Sequence, residues 1–62
     1  MIKMMEVVGN SNQSFEEAVK GTVEKLIESG EKVHWFEIIG EKGTEEEQVE
    51  FQAKINVGVE SK

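Results

Sequence analysis

The run Val33-His34-Trp35-Phe36-Glu37-Ile38-Ile39 constrains this chain more than any other stretch. β-Branched and aromatic residues dominate it and Gly30 and Gly40 bracket it, so it reads as a strand. Successive side chains of a strand point to opposite faces. That spacing puts His34, Phe36 and Ile38 on one face and Val33, Trp35, Glu37 and Ile39 on the other. Neither face is plainly polar. A strand apolar on both sides needs cover on both, and a chain of 62 residues has little to offer. One layer can be its own helix. The other must come from another molecule.

Size makes the same demand. A domain this small buries only about 60% of the surface its unfolded chain exposes, and it commonly relies on disulfides, a metal or association. The chain has no Cys, no Asp and one His, which excludes disulfides and cysteine-ligated metal sites. Association is the staple that remains for a single domain spanning residues 1–62. Thirteen Glu against seven Lys give a formal charge of −6. Nucleic-acid binding leans on basic residues that displace phosphate counterions, so neither nucleic acid nor an anionic membrane is an expected partner. No apolar run approaches the roughly 20 residues of a membrane span. Met1–Glu6 lacks the apolar core of a signal peptide, so the expected location is cytoplasmic.

Residues 2–8 read as a first strand ending at Gly9, with apolar side chains again on both faces. After a polar connection, Ser14 and Glu17 form a capping box, and Glu16 and Glu17 suit the positive end of a helix dipole. Phe15, Ala18, Val19, Thr22, Val23, Leu26 and Ile27 recur at three- and four-residue spacing, predicting an amphipathic helix of about four turns. Gly21 inside it reads as a point of close packing on a strand, and Gly30 as the left-handed stop. In the last strand Val49, Phe51, Ala53, Ile55, Val57 and Val59 alternate strictly with polar residues and glycine. One register, a type II′ turn at Gly43-Thr44, would pair Phe36 with Phe51, Ile38 with Val49 and Trp35 with Gln52; a longer bulged loop would shift the pairing by two and keep Trp35 and Gln52 on one face.

The expected fold class is α+β: a β-α-β-β protomer whose three-stranded antiparallel sheet curls around one amphipathic helix. Trp35 then lies on the face away from the helix, beside Glu37 and Gln52. A two-fold neighbour is the commonest cover for such an indole. Two Trp35 rings facing each other across an axis make a slot for a flat aromatic ligand. The Gln52 amide offers that ligand a donor and an acceptor on one edge. Glu37 reads either as a polar gate to the slot or as a cross-strand partner of Lys54.

Three stretches carry a family resemblance. Val8-Gly9-Asn10-Ser11 with Ser14-Phe15-Glu16-Glu17-Ala18 resembles the first turn and helix start of the dodecins. Val33-His34-Trp35-Phe36-Glu37-Ile38 is similar to their tryptophan strand, and Phe51-Gln52-Ala53-Lys54-Ile55-Asn56-Val57-Gly58 to their last. The resemblance implies a hollow homododecamer of cubic symmetry that binds flavin in pairs at two-fold axes, each pair sandwiched between two tryptophans. Trp35 would be the stacking residue and Gln52 the hydrogen-bond partner of the isoalloxazine edge, with Glu37 and His34 beside them. Many family members carry Arg at the position of His34 and a basic residue near Glu60. The replacements favour riboflavin or a lumichrome-like ring over FMN, whose phosphate would meet those basic groups.

The implied function is non-enzymatic: flavin storage and buffering, with photoprotective quenching by the stacked indole. No Ser/His/Asp set or phosphate loop supports catalysis, and His34 has no partner acid or nucleophile nearby in sequence. Glu45-Glu46-Glu47 reads as a solvated turn, because adjacent carboxylates alternate sides and do not close around a cation. The alternative is a purely structural homo-oligomer whose tryptophan-lined axis holds nothing.

Overall fold

The computed structural model describes residues 1–60; Ser61 and Lys62 of the expected domain lie outside the described residues. Strand β1 (Ile2–Ser11), helix α1 (Phe15–Glu28), strand β2 (Lys32–Glu45) and strand β3 (Val49–Glu60) follow one another. The strands form one antiparallel sheet in the order β1-β3-β2. The most strictly alternating segment thus takes the central place, and its apolar face becomes the core. Ala53, Ile55, Val57 and Val59 are buried against Ala18 and Val19 of α1, with Met5, Val7, Val23, Leu26 and Val33 around them.

The helix begins and ends at the predicted residues, with the Ser14 half of the capping box formed. The Ser14 Oγ accepts the Glu17 backbone N–H at 3.0 Å. At the other end Gly30 takes a φ of 96°, its N–H donates to the Ile27 carbonyl, and Glu31 N–H donates to the Leu26 carbonyl. That pair of bonds is a Schellman closure, and it satisfies carbonyls the helix would leave open. Gly21 differs from expectation: a methyl group there would meet nothing within 4 Å. The close approach falls at Gly9 of β1, where a Cβ would collide with the Thr22 Oγ1 and lie 2.7 Å from the Ala18 carbonyl oxygen.

Three expectations about the sheet are corrected. The hairpin does not turn at Gly43-Thr44: β2 runs on to Glu45, and Glu46-Glu47-Gln48 make the connection. A type II′ turn requires positive φ at its first residue, and among the described residues only Gly30 has it. Phe36 therefore opposes Val57, Ile38 opposes Ile55, and Trp35 opposes Gly58, six residues along β3 from Gln52. Val33 also changes sides. A bulge between Val33 and Trp35 lets Val33 pack into the core opposite Val59 while Trp35 stays on the outer face.

The third correction concerns shape. The sheet does not curl around the helix; the protomer is an open slab of 42 × 21 × 13 Å. A 14-residue helix is about 21 Å long, half the reach of a 14-residue strand, so it cannot draw the whole sheet over itself. It packs more on β1 than on β2. Phe36 and Ile38, which a curled sheet would close over the helix, remain 51% and 48% exposed.

Candidate functional site

Trp35 projects from the face of the sheet opposite α1, as its place in the strand requires. Its register partner is Gly58, which in turn opposes Met4 of β1 on its other side. The indole lies directly on that glycine: a Cβ built there would meet Nε1 and Cε2 of the ring, with Cδ1 only 2.9 Å away. Three consecutive ring atoms come that near together only when the approach is to the face of the ring. An edge-on approach across the Nε1–Cε2 bond would hold Cδ1 clearly farther away than it is. The inner face of the indole thus rests on the sheet, its outer face points away, and the residue is 40% exposed.

The other expected site residues distribute along the same face. Glu37 is two residues from Trp35 and opposes Asn56; Lys54 lies opposite Gly40 instead, so the cross-strand pairing of Glu37 with Lys54 is not formed in this register. His34 falls in the bulge, and its Nε2 lies 3.0 Å from the Glu60 Oε1. The Lys32 Nζ approaches the other Glu60 oxygen at 3.9 Å. His34 and Lys32 thus both approach the one Glu60 carboxylate. Gln52 stands at the far end of the face, between Asn10 and Lys42, and its Nε2 donates to the Glu50 Oε1 at 3.3 Å.

Trp35 and Gln52 are therefore on the same face but not together. Six residues of β3 separate their rows, about 20 Å at strand rise. Sequence parity placed both on the outer face; it did not reveal the distance. The sequence reading also passed over Gly58, although a glycine inside an otherwise unbroken strand often marks a close approach by another group.

Apolar surface is open on both faces. On the outer side Ile2, Met4, Val8, Trp35 and Ile39 are exposed. On the helix side a groove of about 560 Å³ runs between α1 and β2, lined by Phe15, Val19, Val23, Phe36 and Ile38. This groove lies where the sheet stands open and not at Trp35. No group of three or more His, Cys, Asp or Glu residues able to hold a metal occurs among the described residues. No helix among them is long and apolar enough to cross a membrane.

The chain is thus a β-α-β-β slab with exposed apolar residues on both faces and one indole laid flat on its sheet. The dodecin family model matches residues 1–61, and the chain belongs to the dodecin family. Dodecins are non-catalytic flavin-binding proteins, and this chain is not an enzyme. Among solved structures, dodecin from Streptomyces coelicolor is 28% identical with a TM-score of 0.89, covering 100% of this chain and 91% of its own. A point mutant of Thermus thermophilus dodecin is 28% identical with a TM-score of 0.88, covering 100% and 96%. The calcium dodecin of Mycobacterium tuberculosis, described as calcium-chelating, shares the fold at a TM-score of 0.90 and 17% identity, covering 100% and 91%. No curated protein matches the chain.

Proposed function

We propose that this chain stores and buffers flavin as a homododecamer, holding flavin rings in pairs between Trp35 side chains of two-fold-related copies. The observation that carries the reading is the pose of Trp35. Its ring lies flat with one face outward, on the side of the sheet that α1 does not cover, and the residue is 40% exposed. An outward, pre-oriented indole face suits stacking with a flat heteroaromatic ring. Bound flavin would supply an excited state that the adjacent indole quenches, which gives the site its photoprotective character.

Gln52 enters the site from a different copy. An isoalloxazine ring does not span the distance between Trp35 and Gln52 of one protomer, whereas a neighbour whose strands run the other way can bring its own Gln52 to the ring's edge. Glu37 and His34 flank the stacking face. Glu60 engages His34 and Lys32, and its carboxylate repels a phosphate, so riboflavin is favoured over FMN.

Native mass spectrometry in excess riboflavin tests the proposal. A particle of twelve chains carrying riboflavin is the expected result. A monomer would overturn the assembly, and a ligand-free oligomer would return the axis to a purely structural role.

A further inference from the structure

We infer that Gly58 is a positioning residue for the stacking site: its lack of a side chain seats the Trp35 indole flat on β3 and fixes the plane on which a ring can stack. The inference deepens the flavin-binding reading and rests on it.

Gly58 occupies the middle of a twelve-residue strand, paired on both sides, where glycine gives nothing to packing and weakens the strand. Its backbone offers no reason for glycine. Among the described residues only Gly30 has positive φ, so Gly58 adopts a strand conformation open to any residue. It is nonetheless buried, on the face that α1 does not cover. What meets it there is the indole of Trp35, and a Cβ would enter the five-membered ring's face.

The strand neighbours show the alternative. Asn56 and Lys54 share the outer face with Gly58, and each carries a side chain that stands off the sheet. Any such atom at position 58 would lift or tilt the indole. A lifted ring loses the support of the sheet and regains rotamer freedom, so its outer face is no longer held parallel to the surface it must present. The stacking geometry thus depends on a residue that never touches the ligand.

The test is Gly58→Ala, read in three ways: particle mass, near-ultraviolet circular dichroism of the single tryptophan, and riboflavin affinity by quenching of flavin emission. The variant is expected to keep the mass of the wild type, change the tryptophan signal, and bind riboflavin at least tenfold more weakly. Wild-type affinity and dichroism in the variant, beside a wild type that binds, overturn the inference alone. Failure of the wild type to bind riboflavin overturns the flavin reading and, with it, the stacking role. Should Gly58→Ala fail to fold, the double variant Trp35→Ala/Gly58→Ala decides. With no indole to meet, it is expected to fold and assemble as Trp35→Ala does, and its failure to do so overturns the inference.

Discussion

Trp35 and Gln52 project from the same face of one sheet, at register positions six residues apart along its central strand. A ring that stacks on the first and hydrogen-bonds to the second must take them from different chains. Mixing Trp35→Ala chains with Gln52→Ala chains, unfolding and reassembling them together is therefore expected to restore part of the riboflavin binding that each variant lacks alone. Some sites then combine an intact Trp35 with an intact Gln52 from the other variant. No recovery in the mixed particle would mean that both groups come from one chain.

On the proposed reading, the Glu60 carboxylate is what favours riboflavin over FMN. It sits 3.0 Å from the His34 ring and within reach of Lys32, and all three side chains are partly exposed. Replacing it as Glu60→Gln removes one negative charge and frees both basic groups. FMN affinity is expected to rise roughly 2- to 5-fold, the range of an exposed ion pair, with riboflavin affinity unchanged. Fluorescence titration with both ligands checks this, and an equal change for both would place Glu60 outside the selectivity of the site.

Two glycines that look alike in sequence should respond oppositely to alanine. Gly21 lies in mid-helix with open space around its Cα, so Gly21→Ala is expected to stabilise by about 1 kcal/mol through helix propensity. Gly9 faces the Ala18 carbonyl and the Thr22 hydroxyl, so Gly9→Ala is expected to cost about 1–3 kcal/mol by overpacking. Thermal unfolding of both variants measures the signs. A destabilised Gly21→Ala would show that another copy fills the space over the helix.

Much of this architecture is legible in the residues, and the exceptions share a cause. The Ser14 half of the capping box, Gly30, and the alternation from Ala53 to Val59 each encode their structure locally and form as predicted, while Val49 at the start of that strand stays 41% exposed. The register of β2 does not have a local code. Its second half, Gly40-Glu41-Lys42-Gly43-Thr44-Glu45, shows no apolar alternation, yet it pairs because β3 offers a full ladder of backbone groups. Bulges between Val33 and Trp35 and between Ile38 and Gly40 then break the simple period of two. That is why Val33 joined the core against expectation while Trp35 kept its predicted face. The openness of the sheet was hidden for another reason: an apolar face on β2 signals burial, but not whether the cover comes from its own helix or from another chain.

Charge sets the condition for assembly. Twelve chains at −6 each would gather about 72 net negative charges in one particle, and salt screens their mutual repulsion. Dissociation is expected on lowering ionic strength before it is seen on raising it. Sedimentation velocity across a salt series reads this directly, and a particle that loosens only at high salt would point to ion pairs as the main contacts between copies.

The most direct measurement is a titration of riboflavin emission with rising protein, run on the wild type and on Trp35→Ala. If indoles of paired copies clamp the flavin, wild-type protein extinguishes the emission with an endpoint of one flavin per chain. The Trp35→Ala protein keeps the wild-type particle mass and binds roughly 10- to 100-fold more weakly, as the loss of an aromatic stacking partner implies. Emission unchanged at an excess of wild-type protein, or undiminished affinity without the indole, would contradict the clamp.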